Sequence, residues 1–168
     1  MDILLRELMP DDAAELLQLQ HRLDKETSFM LLEPDERQSN VQQVQEMIGK
    51  FAAADTSTII GAFAEGRLAG YISVMGESTR RNRHSAYIVI GILKHYHGKG
   101  IGTRLFNEIE AWAAGSGIMR LELTVMTHNE QAVALYTKSG FAIEGIKRKS
   151  LRVNGEWVDE YYMSRLFG

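Results

Sequence analysis

Residues 88–105 constrain this chain most. Ile88-Val89-Ile90-Gly91-Ile92-Leu93 is an apolar, largely β-branched run, and it reads as a buried strand. Lys94-His95-Tyr96-His97 follows, and then glycines alternate at Gly98, Gly100 and Gly102. Beyond them Ile101, Leu105, Ile109 and Trp112 recur on one helical face. Strand, glycine turn and helix start in that order form a device for holding phosphate. The glycines let backbone come close, and the first-turn N–H groups have no acceptor inside the helix. The spacing is not Gly-x-Gly-x-x-Gly, and Gly98-Lys99 lacks the Ser or Thr of a nucleotide P-loop.

The rest of the chain says what surrounds that turn. Ile3–Leu8 reads as a first strand, and Pro10-Asp11-Asp12 opens a helix buried along Leu16, Leu19 and Leu23. Periodicity lapses over Phe29–Arg37. Ser39 with Gln42 has the spacing of a capping box, opening a second helix striped by Val41, Val44, Ile48 and Phe51. After Asp55 the period shortens to two. Strands 58–64 and 68–75 join at Glu65-Gly66, and 77–83 is a polar loop. Gly115-Ser116-Gly117 ends the helix after the glycine turn, and 119–126 is a strand with Leu121, Leu123 and Val125 on one side and Glu122 and Thr124 on the other. Asn129 caps a short helix running to Lys138 and stopped by Gly140. Two final strands, 141–153 and 157–166, meet at Asn154-Gly155, the strongest hairpin signal in the chain. No repeat or linker interrupts the 168 residues, so 1–168 is expected to be one α+β domain. A doubly wound dinucleotide fold would need repeated βαβ units that are missing.

Composition removes several functions. With no cysteine there is no disulfide framework, thiolate nucleophile or zinc–thiolate site, which fits a cytoplasmic protein. A net charge of −3 argues against general nucleic-acid binding. No segment has the apolar length of a membrane span, and the N-terminus lacks a signal-peptide pattern. His95 and His97 alternate without a third ligand, so no metal is expected.

Downstream, Asn129-x-x-Ala132-x-x-Leu135-Tyr136-x-x-x-Gly140-Phe141 completes a second motif. With both motifs in hand the chain resembles the GNAT family of N-acetyltransferases over nearly its whole length. The resemblance implies a central, mostly antiparallel, twisted mixed sheet flanked by about four helices. It implies acetyl-CoA as acetyl donor, its pyrophosphate held by an Arg/Gln-x-x-Gly-x-Gly/Ala loop. Here that loop is His97-Gly98-Lys99-Gly100-Ile101-Gly102, continued by Thr103, with His97 in place of the usual Arg or Gln. Backbone N–H groups carry most of such binding, so the substitution should be tolerated. The strand end at Gly91, Ile92 and Leu93 is implied to lie beside the pantetheine arm, where an exposed N–H would polarise the thioester carbonyl. Tyr136 is implied as general acid toward the departing thiolate, and Asn129 as a ligand of the cofactor arm.

The implied reaction is direct acetyl transfer to a primary amine through a tetrahedral intermediate; the acceptor could be a small amine, a polyamine or a protein N-terminus. The tail Gly145-x-x-Arg148…Gly155-x-Trp157-x-Asp159-Glu160…Met163 looks like the branch containing ribosomal-protein and spermidine acetyltransferases. The general base stays open. In ribosomal-protein alanine acetyltransferases a Glu sits on the strand before the Asn; that spacing falls here on Thr124, which cannot serve, leaving Glu122 and Glu77 as candidates. Glu33 and Glu36, with Asp35, form an acidic loop between the first two helices that could receive a cationic amine. Exposed strand edges and the final hairpin are compatible with a homodimer. The alternative reading is an acyl-CoA-binding sensor or interaction module without catalysis.

Overall fold

The computed structural model describes residues 1–168. Its elements are β1 (Ile3–Glu7), α1 (Ala13–Glu26), α2 (Val41–Ala53), β2 (Thr58–Ala64), β3 (Arg67–Gly76), β4 (Ser85–Ile92), α3 (Ile101–Ser116), β5 (Arg120–Met126), α4 (Glu130–Lys138), β6 (Ala142–Val153) and β7 (Glu156–Leu166). The seven strands form one sheet in the order β1-β2-β3-β4-β5-β7-β6. Every pairing is antiparallel except β4 with β5, which are joined through α3. The mixed, mostly antiparallel sheet with four α-helices expected from the sequence is therefore present.

Alternation along the strands divides the core into two layers. On one face Ile72, Val74, Ala86, Ile88, Leu121, Leu123 and Val125 pack with Ile101, Leu105, Phe106 and Ile109 of α3 and with Tyr136 and Phe141 around α4. On the other, Ile59, Phe63, Leu68, Tyr71 and Leu93 pack with Leu16, Leu19 and Leu23 of α1 and Val44 and Ile48 of α2. Burying an aliphatic side chain such as Leu105 contributes about 1.5–3 kcal/mol, and truncating it to Ala would cost about 2–5 kcal/mol.

Local signals are shifted in four places. The capping box is Asn40 with Gln43, one residue later than Ser39 with Gln42: Asn40 Oδ1 accepts from the Gln43 N–H and Gln43 Oε1 from the Asn40 N–H. The α2 stripe consequently starts at Val44, and Val41 is exposed. Pro10–Asp12 form a single 3-10 turn before α1 begins at Ala13. The apolar run of β4 is not buried on both faces; the strand starts earlier, at Ser85, and Val89 is 38% exposed. Asn154 and Gly155 both have positive φ, 51° and 78°, in keeping with the two-residue hairpin turn that Asn-Gly favours.

The feature that positions the site is where the parallel pairing stops. β4 and β5 are paired only through Ser85↔Arg120, Ala86↔Leu121 and Tyr87↔Glu122. Beyond that point β4 stays on β3 as far as Ile92↔Gly70, and β5 stays on β7 as far as Met126↔Glu160. The sheet splits into a V between residues 88–92 and 123–126.

Candidate active site

The V exposes backbone of defined parity. The β3–β4 ladder is bracketed by Glu77 N–H donating to the Ser85 carbonyl and Leu93 N–H donating to the Ala69 carbonyl. In an antiparallel ladder such pairs alternate with residues whose polar groups face the other way. Odd-numbered residues of β4 thus turn to β3, and Ile90 and Ile92 present their N–H groups to the V. Of the three residues expected beside a thioester, Gly91 and Leu93 have their N–H groups committed to β3, and Ile92 is the one whose N–H is open. The same argument from Thr127 N–H donating to Asp159 leaves Thr124 and Met126 facing the V from β5.

At the mouth of the V lies the glycine turn. Gly98 and Gly100 have φ of +72° and +79°, and no atom lies within 4 Å of where a Cβ would sit. The left-handed backbone, not crowding, selects glycine at both. The first helical bond of α3 runs from Arg104 N–H to the Gly100 carbonyl, and the N–H groups of Gly98, Lys99, Gly100, Ile101, Gly102 and Thr103 donate to no acceptor in the chain. Six successive free donors at a helix N-terminus form an anion cradle. His97 lies 2.8 Å through Nε2 from the Ile92 carbonyl. With Nε2 protonated, the ring donates to that carbonyl and ties the turn to the strand end. Gly102 allows the close packing of α3 on α4: a Cβ there would fall 2.7 Å from Leu135 Cδ2.

Tyr136 approaches from α4. It is 8% exposed and packed edge-on to Phe106 at 5.8 Å between ring centres. Its hydroxyl has no partner in the chain, yet no fully buried side-chain oxygen or nitrogen lacks one. The ring is therefore buried while the hydroxyl oxygen keeps a solvent-facing surface. Burial holds its pKa above the ordinary phenol value, with the neighbouring Tyr87 adding to the effect. Asn129 Oδ1 accepts from the Ala132 N–H at 3.3 Å, capping α4 and leaving the side-chain amide N–H groups uncommitted.

Opposite α4, the segment between α1 and α2 overhangs the end of β5. It lines a cleft of about 270 Å³ with Lys25, Glu26, Met30 and Glu33 on one wall, Met126 on the sheet, and Leu151 and Arg152 on the β6–β7 hairpin. Phe29 contacts His128 of the β5–α4 turn, ring centres 5.1 Å apart. Asp24 anchors the overhang: its side chain is fully buried and accepts from Arg37 Nε at 2.7 Å and Nη2 at 3.0 Å. That ion pair raises the Arg37 pKa.

The remaining sequence candidates are dispersed. Glu33 lines the cleft, but Glu36 closes a turn by accepting the Glu33 N–H at 3.0 Å. Glu122 sits at the base of the V and is held by Arg120 Nε at 2.9 Å, and the same guanidinium grips Glu144. Glu77 follows the far end of β3, about 23 Å along the strands from Ile92 at 3.3–3.4 Å per residue. Three relationships escaped sequence reading: Asp24 with Arg37, Tyr87 with Thr124, and the open hydroxyl of Tyr136. The first left a trace, because Asp24 directly follows Leu23 on the buried face of α1. No group of three or more His, Cys, Asp or Glu is placed to hold a metal ion, and no helix is long and apolar enough to cross a membrane.

This geometry has known counterparts. The family model for acetyltransferase (GNAT) matches residues 14–141. The chain is similar to the L-amino acid N-acetyltransferase AaaT of Escherichia coli, 34% identical over 106 residues, covering 62% of this chain and 65% of that protein. It is also similar to the N-alpha-acetyltransferase RimI of Mycobacterium tuberculosis, 37% identical over 106 residues, covering 63% of this chain and 64% of that one. The match thus spans just under two thirds of the length of these relatives. Among solved structures, an acetyltransferase of the GNAT family from Streptococcus pneumoniae superposes with a TM-score of 0.96 at 36% identity, over 99% of this chain and 100% of that one. A phosphinothricin acetyltransferase from Sinorhizobium meliloti, solved in complex with AcCoA, shares the fold at a TM-score of 0.86 and 19% identity, over 100% of this chain and 90% of that one.

Proposed function

From the premise that this chain belongs to the acetyltransferase (GNAT) family, we propose that it is an N-acetyltransferase moving an acetyl group from acetyl-CoA directly to a primary amine. The observation that carries this reading is the row of six free N–H groups, 98–103, at the mouth of the β4–β5 split, with the Tyr136 hydroxyl opening from α4. The residues fit the donor substrate. The cradle matches a pyrophosphate in charge and donor count, and the split offers unpaired backbone to an amide-bearing arm such as pantetheine.

Each residue then has a physical task. Gly98 to Thr103 hold the diphosphate through backbone donors, with Lys99 adding charge. His97 braces the turn, so its departure from the family's Arg or Gln leaves the backbone donors in place. The Asn129 amide and the β5 edge orient the arm. The Ile90 and Ile92 N–H groups are the available donors to a thioester carbonyl, and they are worth most where charge develops on its oxygen. Tyr136, kept protonated by burial, donates to the departing thiolate. The acceptor amine enters from the cleft beneath the α1–α2 overhang and must arrive deprotonated. Glu122, held by Arg120 and paired with Tyr87 five residues before Ile92, is about 17 Å along the strands from that donor, so it reaches the amine only through a chain of water. The exposed Ile143 and Ile146 on the edge strand β6 support a homodimer through that edge.

The test is CoA release from acetyl-CoA across a panel of amines, wild type against Tyr136→Phe, with CoA affinity measured on both. Turnover that falls about 10²-fold or more in the variant at unchanged CoA affinity supports the proposal. CoA binding without turnover on any amine would favour the sensor reading.

A further inference from the structure

We propose that the acceptor is a free amino acid, its carboxylate received by Arg152 at the outer wall of the cleft; this rests on the acetyltransferase reading above. Arg152 is distinguished from the other guanidinium groups near the site by being uncommitted. Arg37 is spent on Asp24, and Arg120 on Glu122 and Glu144. Arg152 makes no hydrogen bond or ion pair, and its Cζ lies over the ring of its cross-strand partner Trp157, 5.2 Å from the ring centre. A guanidinium placed over an aromatic face and committed to no other group has its N–H fork free to recognise a carboxylate through two parallel hydrogen bonds.

Its position sets the polarity of the substrate. The cleft meets the sheet at Met126, beside the V, and reaches the hairpin at Leu151 and Arg152. An amine presented to the V therefore sends the rest of its molecule toward Arg152. A polyamine would set its distal ammonium against that guanidinium, a like-charge contact that discriminates against it. Nor is the cleft acidic in sum. Asp24 is neutralised by Arg37, and Glu26 and Glu33 are matched by Lys25 and Arg152. A zwitterion suits such a lining, and about 270 Å³ suits a small one.

The experiment compares each of the twenty L-amino acids with its carboxamide and its decarboxylated amine, alongside spermidine, in wild type, Arg152→Gln, Arg152→Lys and Lys25→Gln. Lys25 is the other cation on the lining, and Lys25 and Arg152 are both exposed, so the variants should fold. Turnover is read as CoA release, and acceptor binding as heat on titration into the CoA-loaded protein. The expected result is a preference of tenfold or more for the acid over its amide. Arg152→Gln should abolish it by raising KM at little-changed kcat, Arg152→Lys should restore part of it, and Lys25→Gln, which removes the same charge from the lining but not the fork, should lower it by less than Arg152→Gln does. Equal use of acid and amide, a preference for spermidine, or an unchanged KM in Arg152→Gln would overturn the assignment. If no acceptor turns over, the transferase reading fails, and the binding heats still decide whether Arg152 holds a carboxylate.

Discussion

The hydroxyl oxygens of Tyr87 on β4 and Thr124 on β5 lie 2.8 Å apart, one step beyond Tyr87↔Glu122, the last backbone pair of the two strands. Where the ladder ends, a side-chain hydrogen bond takes over and fixes the apex of the V. Tyr87→Phe and Thr124→Val are each expected to lose about 1 kcal/mol in urea unfolding. A double-mutant cycle should return a coupling of about 0.5–1.5 kcal/mol. Strict additivity would mean that the two hydroxyls do not brace the apex.

Gly98→Ala and Gly100→Ala test the cradle separately from the fold. A left-handed conformation costs an L-residue about 1–2 kcal/mol, and no neighbour blocks the added methyl. Melting temperature should therefore drop modestly, while CoA affinity falls more as the N–H groups rotate out of register. Calorimetric titration with CoA is the check, and affinity that survives a measurable loss of stability would remove the turn from the binding site.

Asp24→Ala leaves the Arg37 guanidinium, only 15% exposed, without its partner. Breaking a buried pair this way costs about 3–5 kcal/mol, and the partial exposure of Arg37 places this case at the lower end. The α1–α2 overhang should loosen as a result. Acceptor KM should rise while CoA affinity stays near wild type, and amide exchange over residues 27–37 should quicken.

Tyr136 should shape the pH profile by failing to appear in it. Burial raises its pKa, so the neutral form needed for proton donation persists beyond the ordinary phenol range near 10. The rising limb of kcat/KM should follow the acceptor's own ammonium, with no falling limb from tyrosine ionisation below about pH 10. For stability the sign is the same: the unfolded chain releases this proton first, so the contribution is complete below about pH 10 and declines above it.

Much of this was readable in the chain. The glycine turn, the Asn129 cap, the Asn154-Gly155 hairpin and both helical stripes follow from local chemistry, since each depends on residues within a few positions of one another. The capping box moved by one residue because Ser39 and Asn40 are equally competent caps, and only the register of Val44 and Ile48 against the sheet decides between them. The V itself was not legible: nothing within 88–92 or 123–126 tells those residues to stop pairing. Glu77 looked eligible because strand order, not sequence position, determines which end of the sheet it joins. The pairing of Arg152 with Trp157 follows from the Asn154-Gly155 turn, but the place of that hairpin at the cleft does not, and Asp24 finds Arg37 only because the segment between α1 and α2 folds back on α1.

The central claim, that the 98–103 cradle and Tyr136 serve one acetyl transfer, is tested most directly by single-turnover acetylation with protein loaded with acetyl-CoA. Wild type should transfer acetyl to an amine at a rate that Tyr136→Phe lowers about 10²-fold or more at equal CoA affinity, and Gly100→Ala should weaken loading. A Tyr136→Phe variant that transfers acetyl as fast as wild type would contradict the account.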